Sequence, residues 1–251
     1  MRRFFTLLHR EVSHYFHQPL AYVVLFFFLL LTGTNFHAGI SVLNRETGQT
    51  SVVEAFFNTV LFWFPLVLIF PLLTMRLFSE EYKMGTIETL MTAPVRDGQV
   101  VLAKFLGAFV FYLVLWAPSV LYFFIFQWVT GQNAAGAIGS YLGAYTLLVL
   151  IGLFYLSLGC LASALTENQI VAAVIAFALI SLMFFLSLLS FLFLNASPAL
   201  RELSYYFSTI EHMAEFSRGV FDTRPVVFYV SMTAFTLFLT FHVFQYRRWK
   251  R

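Results

Sequence analysis

Hydrophobic positions in this chain gather into six long runs, residues 20–40, 56–78, 103–128, 138–162, 170–194 and 226–246, separated by polar connectors. Each run reaches the ~20 residues that an α-helix needs to cross a hydrocarbon layer of ~30 Å. None shows the alternation of a transmembrane β-strand, whose segments run to about 10 residues. A span in lipid must satisfy its own backbone groups, and a helix does so within one segment. The pattern predicts an all-α, polytopic membrane protein with six transmembrane helices in a single domain over residues 1–251.

The polar stretches predict further elements. Over residues 2–18, Phe5, Leu8, Val12, Tyr15 and Phe16 recur at helical spacing, with Thr6, Arg10, Ser13 and His17 on the other side. This is an amphipathic elbow helix lying along the membrane face and ended by Pro19. It serves either as a static anchor or as a lever that moves with the first span. Residues 44–51 form a short polar connector, and Pro65 and Pro71 predict local bends in the second span. The connector over residues 76–104 is the most informative. Gly85 ends the exit from span two, and residues 86–91 predict a short helix showing Ile87, Leu90 and Met91. Pro94 stops that helix, and Asp97 is the candidate N-cap of the next. Such a helix is either a solvated loop element or a knob shaped for another protein's groove.

In the fourth run, Gly139, Gly143, Gly152 and Gly159 predict close helix packing ahead of a substrate path. Residues 165–169 make a tight turn into the fifth run. Over residues 195–225, Leu203, Tyr206, Phe207, Ile210, Met213 and Ala214 form an apolar stripe, with Glu202, Ser208, Glu211, His212 and Glu215 off it. An amphipathic helix or hairpin is expected there, with Gly219 as a C-cap and Asp222 starting span six.

Composition sharpens this picture. The chain is 60% hydrophobic and 11% charged, against roughly 45–50% and 25% in globular proteins, so little is left for a soluble domain. Six crossings put both termini on one side with 11 of the 15 basic residues, leaving only Arg45, Arg201, Arg218 and Arg224 opposite. By the positive-inside bias, both termini are expected in the cytoplasm. The net charge of +3 is then a topology signal, and basic residues scattered over membrane borders argue against nucleic-acid binding. About 18 polar residues precede the first run without a clear small-residue cleavage site after it, so a retained span is expected.

Chemistry for catalysis is sparse. The lone Cys160 lies within the fourth run as a packing residue. No phosphate-binding G-x-x-x-x-G-K-[ST] loop occurs. No run carries a central Asp, Glu, Lys or Arg, which disfavours ion-coupled carriers. His37 and His242 fall at unmatched depths for a haem pair, and His9, His14 and His17 read as surface groups. Serines and threonines in the runs lack acid–base partners. The expectation is no catalytic site, no metal and no cofactor on this chain.

The stretch Ser79-Glu80-Glu81, Gly85-Thr86-Ile87-Glu88-Thr89-Leu90-Met91-Thr92-Ala93-Pro94-Val95 and then Lys104 resembles the inner connector of ABC-2 type transporter permeases. Arg10-Glu11, Tyr15-Phe16 and Pro19-Leu20-Ala21-Tyr22 resemble the family's elbow, and Thr166-Glu167-Asn168-Gln169 its inner turn. Phe216-Ser217-Arg218-Gly219-Val220-Phe221-Asp222-Thr223-Arg224 is similar to a segment in the gliding-motility branch, with nitrous-oxide-reductase maturation permeases as near relatives. The resemblance implies a permease half in the inner membrane that pairs with a second copy, as a homodimer, and with two copies of a cytoplasmic ATPase holding ATP and Mg. It implies ATPase coupling through Glu80, Glu81, Gly85, Thr86, Ile87, Glu88, Leu90, Met91 and Pro94, with elbow contacts from Arg10, Glu11 and Tyr15. The inner turn of Thr166, Glu167 and Asn168 would be a smaller contact, and Glu211, Arg218 and Gly219 would belong to the outer segment. Spans one and five would line the dimer interface. The alternative is a structural or mechanotransmission anchor for an extracytoplasmic accessory partner, without cargo.

Overall fold

The computed structural model describes residues 2–43, 50–86, 96–192 and 198–250, and the described residues form helices without a strand. In chain order these are α1 (Arg2–His17), α2 (Pro19–Leu43), α3 (Val52–Phe57), α4 (Val60–Thr74), α5 (Ser79–Met84) and α6 (Asp97–Thr130), followed by α7 (Ile138–Leu165), α8 (Gln169–Leu192), α9 (Pro198–Phe207), α10 (Thr209–Ser217) and α11 (Thr223–Lys250). Six helical stretches are long and apolar enough to cross a membrane: those of α2, α4 through α5, α6, α7, α8 and α11.

The fourth span is the axis of the bundle. Its most apolar window is 83% buried, against 22% for each of the first, fifth and sixth spans. α7 packs against α11, α8, α10, α4 and α6. Its glycines make these approaches possible. A Cβ at Gly152 would stand 2.2 Å from the Tyr112 ring of α6, and one at Gly159 would stand 2.2 Å from the Thr74 hydroxyl of α4. The close-packing expectation for these glycines is therefore met. Tyr112 lies flat over Gly152 and donates to the Leu148 carbonyl at 3.0 Å. Cys160 is fully buried in the same helix.

The second run is not one helix. It divides at Asn58–Thr59 into α3 and α4, with Thr59 in an extended conformation. Both residues favour caps over helix interiors because their side chains compete for backbone groups. Asn35 of α2 stabilises the break: its amide donates to the Phe56 carbonyl at 3.0 Å, and its oxygen accepts from Thr59. α3 has its own start, a capping box between Ser51 and Glu54. α4 remains helical through both Pro65 and Pro71.

The remaining boundaries follow local chemistry. Pro19 opens α2, where its missing N–H leaves no bond unmade. Arg96, not Asp97, is the N-cap of α6, and Asp97 is the first helical residue, where its charge still favours the helix N-terminus. Beyond the fifth span, the expected outer element is two short helices. Ser208 accepts from the Glu211 amide to start α10, and Gly219, at φ 84°, follows its C-cap Arg218. Asp222 accepts from the Arg224 amide at 2.9 Å and so caps the start of α11.

Candidate functional site

The end of the bundle that carries α1, α5 and the close of α11 concentrates the charged side chains. α5 is held there from its first residues. The amides of Phe78 and Ser79 donate to the Ser163 hydroxyl of α7 at 3.0 and 3.3 Å, satisfying donors that a helix start leaves open. Gly85 ends α5 at φ 69°, a left-handed conformation with no cost for glycine.

Between those ends, Glu81 points into a four-residue charge cluster. Lys104 of α6, whose side chain is 3% exposed, lies 2.8 Å from Glu81 Oε1 and 3.4 Å from Glu11 Oε2. Arg10 reaches Glu11 Oε1 at 2.8 Å and Glu81 Oε1 at 3.4 Å. Three segments far apart in sequence (the elbow, α5 and the start of the third span) are thus joined through one ammonium. Burial alone pushes the Glu11 carboxyl up, but Lys104 and Arg10 together hold it below the ordinary carboxylate range. Burial likewise opposes the Arg10 charge, and the bond to Glu11 reverses that and raises its pKa.

Apolar contacts reinforce the same joint. The Tyr15 ring stacks on Phe111 of α6 with centroids 5.1 Å apart, and its hydroxyl donates to the Leu73 carbonyl at 2.8 Å. A Cβ at Gly107 would stand 2.9 Å from the Cβ of Glu11, so glycine there lets α1 lie against α6.

A second joint holds the other side of α5. Arg247, near the end of α11, stands 4.7 Å from the centre of the Tyr82 ring, donates to the Leu165 carbonyl, and lies 3.6 Å from Glu167. It caps the carbonyl end of α7 and adds a cation–π contact. The turn itself is shaped by its own polar atoms. Thr166 Oγ1 accepts from the Asn168 amide at 3.1 Å, and Asn168 Oδ1 accepts from the Ile170 amide at 2.9 Å.

The expected site residues therefore separate into groups. Glu81, Arg10, Glu11 and Tyr15 meet at one joint, and Glu80 and Thr86 line the cavity beside it. Glu167 meets the joint at Arg247. Glu211, Arg218 and Gly219 lie between the fifth and sixth spans, apart from both joints, where Arg218 pairs with Glu54 of α3 at 2.9 Å. Asn58 adds a bond to Ser217 at 3.1 Å across the same contact. Ile87, Glu88, Leu90, Met91 and Pro94 lie outside the described residues. Ser163, Tyr82 and Arg247 had no local signal, since each acts on a segment remote in sequence.

In comparison with known proteins, the family model described as ABC-2 family transporter protein matches residues 13–184, from the end of the elbow into the fifth span. Among curated proteins, none matches the chain.

Proposed function

The chain belongs to the ABC-2 family of transporter proteins, and from that premise we propose that it is the permease half of an ATP-driven complex, with its power stroke received on α5 and the residues that follow it. A separate cytoplasmic ATPase binds and hydrolyses ATP with Mg, and two copies of it serve two permease copies. Both termini lie in the cytoplasm, as the clustering of basic residues supports. The exposed faces of α2 and α8, including Phe26, Phe27, Val174 and Phe185, supply apolar surface for the second copy or for lipid.

One observation carries the proposal: α5 is tied on both flanks. Through Glu81 it is bound to Lys104 and the elbow, and through Tyr82 it meets Arg247 at the end of the sixth span. A displacement applied beyond Gly85 is transmitted to α1, α6 and α11 together, because a tightly packed, ion-paired joint moves as a body. The permease then alternates between two arrangements, biased by the ATPase.

The test is co-purification of the tagged full chain from its native membranes, followed by ATPase measurement in reconstituted vesicles. A co-purifying P-loop ATPase is expected, with its stimulation lost in Glu88→Arg or Leu90→Asp. Wild-type stimulation in both variants would refute coupling through this segment.

A further inference from the structure

We propose that His212 is an acid-operated latch, whose protonation frees α9 and the start of α10 from α11. The inference stands apart from ATPase coupling, since it rests on the packing of this segment alone. Of the six histidines, His9, His14, His17, His37 and His242 are exposed. His212 differs: it is 1% exposed, where three helices meet.

Its contacts are those of a clasp. From α10, the imidazole Nδ1 lies 3.2 Å from the Tyr229 hydroxyl of α11. The Tyr229 ring meets it edge-on with centroids 5.9 Å apart, and the Tyr205 ring of α9 does so at 5.2 Å. Beside them, Phe207 of α9 meets Phe228 of α11 at 5.8 Å. The corner between α9 and α10 rests on Ser187 of α8, through a Thr209 amide bond of 3.0 Å and a Ser208 hydroxyl bond of 3.2 Å. The far end of α10 is seated more tightly. There Phe216 is fully buried, and a Cβ at Gly143 of α7 would stand 2.1 Å from the Phe216 carbonyl oxygen. α10 is thus anchored on α7 at its close, while His212 fastens its start to α11.

The surroundings offer a cation no ion pair among the described residues. α9 presents Tyr205, with Glu202 exposed, and α11 presents Tyr229. α8 carries no ionisable side chain, and α7 contributes Tyr155, whose hydroxyl lies 3.4 Å from Thr209 Oγ1. On α10, Glu215 accepts from the Tyr205 hydroxyl and Glu211 is half-buried. Asp222, ahead of α11, accepts from the Arg224 amide. Its charge favours the imidazolium, yet burial outweighs it, and the imidazole pKa is pushed down to about 4. The closed arrangement therefore needs the neutral ring, and an opening that exposes it to water restores the ordinary value of about 6.5. Opening is then favoured as pH falls from about 6.5 towards that lower value, by about 20-fold between pH 7 and 5. A buried histidine of this kind is a proton-driven switch at a helix contact.

The experiment is amide exchange of the full chain in detergent at pH 7 and 5, with each rate divided by its intrinsic rate at that pH. Protection over residues 205–213 is expected to fall about 20-fold from pH 7 to 5. At both pH values it should lie at least about tenfold below that of α6, the mark of a local opening. His212→Gln, which stays neutral, should change by less than about twofold. Glu215→Gln and Asp222→Asn should keep the wild-type fall, and Tyr229→Phe, which deletes the bond but keeps the imidazole, should lower protection already at pH 7. If His212→Gln fails to fold, nuclear magnetic resonance of the wild-type chain with labelled histidine carries the test: the His212 imidazole should titrate below about 5, and a midpoint near 6.5 would overturn the proposal. So would constant wild-type protection, an equal fall in His212→Gln, loss of the fall in either carboxylate variant, or unchanged protection in Tyr229→Phe. Protection equal to that of α6 would mark global unfolding and overturn it as well.

Discussion

Replacing Lys104 with methionine removes one charge while keeping an unbranched side chain of similar length, and it isolates the electrostatic part of the elbow joint. The Lys104 side chain is 3% exposed, against 9% for Glu11 and 18% for Glu81. In Lys104→Met, Glu11 keeps Arg10 at 2.8 Å, but Glu81 keeps only the longer 3.4 Å contact. Stranding a buried charge costs about 3–5 kcal/mol, and the surviving Arg10 puts the expected loss near 3 kcal/mol. At about 2–4 °C per kcal/mol for a chain of this size, the melting temperature should fall by roughly 6–12 °C. Scanning fluorimetry of the full chain in detergent measures this. The double variant Lys104→Met with Glu81→Gln removes the stranded charge and should recover at least half of the loss. A fall below about 2 °C in the single variant, or simple addition of the two losses, would refute the reasoning. The pH dependence has a definite sign. The Glu11 carboxyl is depressed in the folded chain, so its stabilisation is complete above the ordinary value of about 4.3. That contribution is lost as pH falls through the lower folded value, and Lys104→Met should make this acid loss shallower.

Further expectations concern packing and the second joint. Gly152→Ala drives a methyl to 2.2 Å from the Tyr112 ring; a destabilisation of about 1–3 kcal/mol is expected, and an unchanged melting temperature would contradict the packing account. Arg247→Ala releases Tyr82, Leu165 and Glu167 together, so amide exchange should rise over residues 165–169 and 79–84 while α9 and α10 stay protected. His212, buried beside Tyr205 and Tyr229, has its pKa pushed down to about 4, chiefly by burial. It folds neutral, so stability should decline as pH falls from about 6.5 towards that value. His212→Phe, which cannot titrate, should flatten the decline in an acid melt series.

The crossings were legible because an apolar run of this length has few physical alternatives, and the described helices follow five of the six runs closely. The exception is instructive. Asn58 and Thr59 interrupt an apolar stretch, yet the break also depends on Asn35, 24 residues before Thr59 in another helix. The position of Asp97 shows a smaller effect, a shift of one residue at a helix start, within the usual variation of helix ends. The amphipathic elbow and the capping residues Gly219 and Asp222 between α10 and α11 were readable because their signals are local. The charge cluster was only half legible. Arg10, Glu11 and Glu81 stood out within short motifs, whereas Lys104 appeared as one residue of a pattern and Arg247 as one positive charge near the membrane. Their pairing depends on α1, α5, α6 and α11 converging, and no spacing along the chain encodes that convergence.

Site-specific cross-linking tests the central claim most directly. Met84, 62% exposed at the end of α5, and Val220, 56% exposed between α10 and α11, are each replaced by cysteine. The native Cys160 is buried and leaves the background silent. In the assembled complex, Met84→Cys is predicted to form a covalent adduct with the ATPase subunit, in a yield that changes with ATP, while Val220→Cys forms none. Capture of the ATPase by Val220→Cys, or by neither position in a complex that still hydrolyses ATP, would contradict the account.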